Sequence, residues 1–199
     1  MNGFSKTTLL QIDPDTRAFT LVGAFLGHFA LLEAGIDAAV SETLQIKGAR
    51  SAIVTRNMSF DDKIKTLRAL VDLIIINKEQ AKQFDELARR ARKYGEKRNV
   101  VAHTPFRRSF KSDGVEFLAI SANSTLKFPN IDWSIEEFLL QIDDINSIDN
   151  ELRTIENKMS LQSIAQALMQ PGASSKLGGL FGLGQALLDN GAGEPQEGQ

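Results

Sequence analysis

One long apolar stretch, from Ala18 to Val40, limits the folds open to this chain more than any other feature. It is interrupted by His28, Glu33 and Asp37, so its uninterrupted apolar part is shorter than the ~18 residues of a membrane span. A chain of 199 residues with 42% hydrophobic content is long enough to bury one sizeable core. The stretch therefore predicts a nearly buried central helix in a single domain, with no membrane span.

Helical spacing of the apolar residues predicts a mainly all-α fold. After an irregular segment, residues 1–16, a first helix is expected from Arg17 to Leu44, with Asp15 or Thr16 as its N-cap. The stretch "ARSAIVTRNM" has no such pattern and is interpreted as a connector. Ser59, followed three residues later by Asp62, resembles a capping box and predicts the start of a second helix.

A third helix is expected to begin at Lys78 or Glu79. Gly95 lies inside it and lowers its stability by ~1 kcal/mol relative to alanine, which predicts a kink or a break. Pro105 disfavours helical geometry at the residue before it, so the helix should end near His103.

The pattern changes after this helix. The short extended runs "DGVEFLAIS" and "STLKF" predict a small inserted β-hairpin at about 114–128. Ser134 and Glu137 then form a second capping-box pattern, which opens a helix predicted to reach Met159. The expected organisation is a helical domain at 17–159, a short helix at 160–170 and a flexible glycine-rich tail at 171–199.

The amino-acid composition limits the kinds of catalysis and metal binding that are open to this chain. The chain has no cysteine and only two histidines, which excludes disulfides, thiolate nucleophiles and cysteine-ligated metal centres. We also find no secretory signal at the start, and no nearby histidine that would make Asp143 and Asp144 a metal site rather than a solvated acidic face. The expectation is a cytoplasmic protein that uses no metal and no cofactor.

Positive charge is concentrated in one region. Between Lys82 and Lys111 the sequence holds ten lysine or arginine residues against three acidic ones. Such a run either contacts a nucleic-acid backbone, in a salt-dependent and sequence-independent way, or is a solvated surface. The candidate RNA contacts are Arg89, Arg92, Lys93, Arg107 and Arg108. Tyr94 and Phe106 are placed either to stack on a base or to pack in the core.

The stretch "KRNVVAHTPF" places Arg98, Asn99 and His103 at the end of the basic helix. Its R-x4-H spacing, with a polar residue directly after the arginine, resembles the motif of the HEPN family (higher eukaryote and prokaryote nucleotide-binding). The order of elements, about residues 17–158, is also similar: a long apolar helix, a second helix, the basic helix with the motif, an inserted hairpin and a closing helix. The expected fold is thus an HEPN-like helical bundle with a small β-hairpin.

The resemblance implies a metal-independent endoribonuclease, often a toxin or a defence effector, that acts as a homodimer with both motifs in one cleft. It implies RNA as substrate and an antitoxin or a nucleotidyltransferase as partner. The chemistry of the residue types agrees. Histidine has an unperturbed pKa of about 6.5, which suits proton transfer, and arginine offers a planar fork for phosphate charge. His103 and Arg98 would take these roles, and Asn99 would orient one of them.

Helix geometry sets a condition on this hypothesis. On an ideal helix Arg98 and His103 point about 140° apart, whereas Asn99 and His103 share a face. Either the helix unwinds before Pro105, or the arginine of one chain works with the histidine of another.

Other interpretations stay open at this point. In one, Arg98 and His103 are only favourable charges near a helix C-terminus. In another, the same fold is a non-catalytic module that binds RNA, nucleotide or a protein. Glu33 is a supporting candidate that would neutralise Arg98 or another arginine. His28 is expected to be a satisfied core or interface histidine.

Overall fold

The structure is a computed structural model that describes residues 5–74, 77–120 and 126–169. Within these ranges the helices are α1 (Lys6–Leu10), α2 (Pro14–Thr43), α3 (Ala49–Arg56), α4 (Phe60–Ile74), α5 (Lys78–His103) and α6 (Ile135–Met169). The strands are β1 (Phe106–Arg108), β2 (Val115–Leu118) and β3 (Asn130–Trp133). This confirms the mainly helical fold with a small β insertion. By their contacts, the described residues up to Met159 form one compact unit.

The N-terminal segment is more regular than its sequence predicted. Ser5 caps α1 by accepting a hydrogen bond from the Thr8 backbone, and Leu9 of this helix is buried. α2 begins at Pro14, three residues before the predicted start, because Asp13 accepts hydrogen bonds from two backbone N–H groups of the first turn. Pro14 fits there because it has no N–H to leave unpaired.

α2 is the central helix, as predicted, but it is buried on one side only, so the prediction of a nearly buried helix is wrong. Its inner side is fully buried and packs against α4, α5 and β1. The largest buried side chains on it are Leu21, Phe25, Phe29, Leu32 and Ile36. The core therefore lies along this helix.

The outer side of α2 is also apolar. Its exposed residues, which we call the exposed α2 face, are Phe19, Gly23, Gly27, Ala30, Leu31, Ala34 and Ala38. By length and composition α2 would pass as a membrane span, with a mean hydropathy of 1.6 over its most apolar window, of which 39% is buried in the fold. Core helices of globular proteins pass the same test. An apolar face of this length is nevertheless uncommon on a monomer surface.

The stretch predicted to be a connector forms α3. The residues of α3 that contact the rest of the domain are polar. The Ser51 hydroxyl is hydrogen-bonded to the Ser41 hydroxyl of α2, and Thr55 is buried. Gly48 precedes the helix with φ of 59°, a conformation that favours glycine. Tertiary hydrogen bonds thus support a helix whose apolar pattern is too weak to predict it.

The capping box at the start of α4 is confirmed. The Ser59 hydroxyl accepts from the Asp62 backbone, and the Asp62 carboxylate accepts from the Ser59 backbone N–H at 3.3 Å. α5 begins at Lys78 as predicted, with Asn77 as its N-cap.

The break predicted at Gly95 is wrong. α5 runs without interruption to His103. A Cβ on Gly95 would lie 2.7 Å from a ring carbon of Phe60, so the glycine allows the start of α4 to pack closely on α5. The packing stabilises a helical glycine that would weaken an isolated helix.

The β insertion differs from the predicted hairpin at 114–128. β2 pairs on one side with β1, immediately after α5, and on the other with β3, both antiparallel. Residues 121–125 of the predicted hairpin lie outside the described residues. Phe117 of β2 and Trp133 of β3 pack against each other, with ring centroids 5.1 Å apart. Both apolar side chains face the helices, and this packing explains why β2 pairs with β1 and β3.

The closing helix has the predicted capping box, in which the Ser134 hydroxyl accepts from the Glu137 backbone and the Glu137 carboxylate accepts from Ser134 N–H at 2.7 Å. Its buried stripe includes Phe138, Ile145 and Ile148. The separate helix predicted at 160–170 is wrong, because α6 continues unbroken to Met169. Residues 171–199, predicted to be a flexible tail, lie outside the described part of the chain.

Candidate functional site

The last turns of α5 hold the three motif residues on one regular helix. The helix ends where the Thr104 backbone N–H donates to the Val100 carbonyl, directly before Pro105. Arg98 is half-buried, whereas Asn99 and His103 are exposed. Because the helix does not unwind, Arg98 and His103 of one chain point about 140° apart and lie about 7.5 Å apart along the axis.

Arg98 and Asn99 line a cleft of about 440 Å³ between α2, the α3–α4 connection and α5. α2 contributes Phe29 and Glu33 to it, and the start of α4 contributes Phe60. His103 is not among the lining residues. Within one chain, the structure therefore brings Arg98 and Asn99 together and leaves His103 outside.

Arg98 differs from the other arginines of the basic region. Its guanidinium lies 5.7 Å from the centre of the Phe29 ring and donates a hydrogen bond of 3.2 Å to the side-chain oxygen of Asn99. Among the described residues it pairs with no carboxylate. A half-buried guanidinium without a counter-charge is well suited to bind an anion.

The other candidate RNA contacts are mostly ion-paired within the chain. Arg89 pairs with Asp85 at 2.7 Å, and Arg92 pairs with Asp61 at the same distance. Of the two arginines of β1, Arg107 pairs with Glu116 at 2.8 Å and Arg108 pairs with Asp15 of α2 at 3.8 Å. Within the described ranges, Lys93 has no ion pair. The exposed pairs are weak and solvated, so these cations remain accessible but are partly neutralised.

Glu33 lies in the cleft, but its partner is not Arg98. One of its carboxylate oxygens accepts a hydrogen bond of 2.8 Å from Lys63, whose ammonium lies at the same distance from Asp37. The Lys63 side chain is only 4% exposed. Burial alone would lower its pKa, yet its two carboxylate partners raise it, so the lysine is charged. Glu33 thus lines the cleft and is also part of an ion-pair group with the buried Lys63.

The aromatic wall of the cleft was not apparent from the sequence. Phe29 and Phe60 contact each other with ring centroids 4.8 Å apart. Their sequence signals are ambiguous, because each fits the apolar stripe of its helix. The sequence feature that could have indicated this wall is Gly95, because only a glycine lets the Phe60 ring reach the α5 backbone.

The remaining sequence candidates have structural roles. The ring of His28 is hydrogen-bonded to Asn146 at 2.8 Å, in agreement with a satisfied core histidine. Phe106 packs edge-on against Phe19, and Tyr94 is buried. Neither aromatic side chain is free to stack on a base.

Asp144 is not part of a solvated acidic face. It accepts hydrogen bonds from Arg90 and from the Tyr94 hydroxyl, the latter at 2.8 Å. Partial burial opposes ionisation of Asp144, but these two donors prevail and hold its pKa below the usual range. Burial raises the pKa of Tyr94, and the contact with Asp144 raises it further. The group therefore ties α5 to α6.

No protein-family model matches this chain, and no curated protein or solved structure shows significant similarity to it. The residues and their geometry therefore provide the whole basis for a functional assignment. Within the described ranges, no group of three or more histidine, cysteine, aspartate or glutamate side chains is arranged to hold a metal ion.

Proposed function

We propose that this protein is an HEPN-like, metal-independent endoribonuclease that cleaves RNA by attack of a 2'-hydroxyl on the adjacent phosphate. The observation that supports this most directly is Arg98, a half-buried guanidinium that pairs with no carboxylate among the described residues and lines a cleft of about 440 Å³. A cleft of this size suits one small ligand, and the unpaired cation favours an anionic one.

The reaction needs two protein functions. A histidine ring nitrogen takes the proton of the 2'-hydroxyl as the new O–P bond forms, or donates a proton to the leaving 5'-oxygen as the old P–O bond breaks. An arginine stabilises the extra negative charge on the phosphate in the transition state. His103, exposed at the helix end, is accessible for the first role, and Arg98 for the second, with Asn99 holding its guanidinium.

The geometry favours action in trans. α5 is continuous, so one chain does not direct Arg98 and His103 at the same phosphate. A homodimer would direct both residues at one phosphate if a two-fold axis places His103 of one chain beside the cleft of the other.

The exposed α2 face supports this dimer. Ala30 and Ala34 directly follow the cleft residues Phe29 and Glu33, so the face borders the cleft. A Cβ added at Gly27 would meet nothing within 4 Å, so the backbone there is open to a second helix. Burial of such a face in a symmetric contact would remove a large apolar area from water.

The basic residues Arg89, Arg92, Lys93, Arg107 and Arg108 would guide the RNA backbone toward the cleft. Since four of them already have acidic partners, their contribution is electrostatic steering rather than tight, sequence-specific contact. A toxin or defence effector of the cytoplasm, neutralised by an antitoxin or nucleotidyltransferase, is the biological setting we propose for this activity.

The test is incubation of the purified protein with mixed cellular RNA in excess chelator. His103→Ala and Arg98→Ala should each abolish cleavage without loss of helical circular dichroism. Arg50→Ala, which removes an exposed arginine of α3, is the matched control and should cleave normally. A DNA of the same sequence should remain intact because it lacks the 2'-hydroxyl.

A non-catalytic HEPN-like module that binds RNA, nucleotide or a protein partner is the second candidate. It is favoured by the position of His103 outside the cleft. In that case RNA would bind and stay intact, binding would weaken with salt, and His103→Ala would bind as well as wild type.

A further inference from the structure

The cleft contains groups that phosphate chemistry does not need. One wall is formed by the half-buried Phe60 ring, which packs against the buried Phe29 ring, and Met58 extends this apolar surface. On the α5 side the cleft is lined by the Glu96 carboxylate and the Asn99 amide. An aromatic wall facing hydrogen-bonding side chains suits a flat, polar ring.

We propose that this cleft binds one nucleobase, guanine, next to the phosphate held by Arg98. The proposal rests on the ribonuclease assignment for its setting and adds the base specificity of the site. The volume of about 440 Å³ accommodates a single nucleotide unit rather than an oligonucleotide.

A base is favoured over a second phosphate by charge. The cleft is lined by Glu33, Asp61 and Glu96 in addition to Arg92 and Arg98. Arg92 is already paired with Asp61, so Arg98 is the available cation for one phosphate. The Phe60 ring then supplies the stacking surface for the base.

Guanine matches the polar groups better than the other bases. Glu96 is exposed and, within the described part of the chain, has no ion-pair or hydrogen-bond partner. A carboxylate accepts from both N1–H and the 2-amino group of guanine. Adenine presents a ring acceptor beside its amino group, and uracil places two carbonyls around its single N–H, so both are repelled by a carboxylate. The side-chain oxygen of Asn99 accepts a hydrogen bond from Arg98. The NH2 group of the same amide therefore remains available to donate to guanine O6 or N7.

The test is calorimetric titration of the full-length protein with 5'-GMP, and separately with AMP, CMP and UMP. We expect GMP to bind at least ~10-fold more tightly than the other three, because a good bidentate pair discriminates at this level. Glu96→Gln removes the charge but keeps the shape and should reduce this preference severalfold. Glu86→Gln, an exposed glutamate of the same helix outside the cleft, should change nothing.

Two further variants alter the wall alone. Gly95→Ala places a methyl group 2.7 Å from the Phe60 ring, so the ring must move while every polar group is retained. Phe60→Leu removes the ring but keeps an apolar side chain. Each should lower GMP affinity by ~10-fold or more, and circular dichroism identifies any variant that fails to fold.

The outcomes separate this proposal from the ribonuclease assignment. If RNA is cleaved but the four nucleotides bind equally or not at all, the guanine site is wrong and the enzyme assignment stands. If GMP binds selectively but RNA remains intact, the base site stands and the catalytic role is wrong. GMP binding that Glu96→Gln and Phe60→Leu both leave unchanged would place the nucleotide elsewhere and overturn the proposal.

Discussion

The guanidinium of Arg98 lies over the ring of Phe29, 5.7 Å from its centre, and is tied to the side chain of the next residue, Asn99. This arrangement holds the planar group in the cleft without neutralising it, since neither partner is an anion. Most of the neighbouring arginines, in contrast, contact a carboxylate. Arg98 is therefore the residue of the motif whose surroundings most clearly suit an anionic ligand.

Arg98→Lys tests whether the shape of this cation matters as well as its charge. Lysine keeps the charge but loses the planar fork and the contact over Phe29, so RNA cleavage should fall at least ~10-fold with little change in stability. Initial rates of RNA cleavage measure the effect. Arg50→Lys on α3 is the control, and equal rates for Arg98→Lys and wild type would remove the geometric role assigned to Arg98.

Gly27→Glu tests the exposed α2 face as a dimer interface. A side chain at Gly27 meets nothing within 4 Å in the monomer, so the fold should tolerate it, and loss of a helical glycine should favour the helix by about 0.5–1 kcal/mol. A charge in an apolar interface is costly, so the dimer should dissociate. Sedimentation velocity reports the change, with Ala52→Glu on α3 as control. A wild-type protein that sediments as a monomer at every concentration would contradict the dimer.

Lys63→Met tests the buried ion-pair group beneath the cleft. Removal of the ammonium leaves Glu33 and Asp37 without their shared partner, and the free energy of unfolding should fall by about 3 kcal/mol. The control is Lys65→Met, two residues along α4 and on its exposed side, where loss of the 2.7 Å pair with Asp61 should cost much less. Urea unfolding compares the two, and equal losses would show that the Lys63 group adds nothing beyond a surface pair.

Asp144→Asn tests the link between α5 and α6 through pH. The folded-state pKa of Asp144 is lowered below its ordinary value of 3.8, so its ionised form stabilises the fold above that pH. This contribution is lost as the pH falls through the lowered folded-state pKa. The variant should thus be less stable than wild type near neutral pH, and the difference should shrink in acid below about pH 4.

Thermal melts between neutral pH and about pH 2 would follow this difference in unfolding stability. Asp143→Asn, at the neighbouring exposed position, is the matched control and should track wild type throughout. A stability gap between Asp144→Asn and wild type that stays constant with pH would mean that the carboxylate charge is not involved.

Gly114→Ala tests the junction between the sheet and α6. A Cβ there would lie 2.0 Å from the Trp133 carbonyl oxygen and 2.8 Å from the Ser134 backbone, neither of which moves without shifting β3. We expect a loss of about 3 kcal/mol of unfolding free energy, at the upper end for overpacking. Gly23→Ala, where the new methyl group meets nothing within 4 Å, is the control for the same urea-unfolding measurement. A tolerated Gly114→Ala would show that the junction is not close-packed.

Local signals in the sequence predicted the helix starts well. Ser59 with Asp62 and Ser134 with Glu137 form the capping boxes expected of them, because these bonds involve only residues three positions apart. The end of α5 at His103 was equally predictable from Pro105. Where a local signal was weak, as in α3, the prediction failed.

The partners of the strands and of the charged side chains were not predictable in this way. β2 pairs both with β1, directly after α5, and with β3, and Phe117 lies in the core beside Trp133. Glu33 meets Lys63 of α4 instead of Arg98, although both Glu33 and Arg98 line the cleft. These choices depend on contacts between distant parts of the chain.

The sequence by itself determined the helical class, the starts of α4, α5 and α6 and the location of Arg98, Asn99 and His103 at the end of α5, all of which follow from short-range periodicity, caps and a proline. Only the tertiary structure decided that α5 continues through Gly95 without a break, because the Phe60 ring occupies the space a side chain would need. It also decided that Arg98 faces an aromatic cleft while His103 does not. The orientation of a side chain depends on which distant elements pack around its helix, and burial of apolar surface over the whole domain determines that packing.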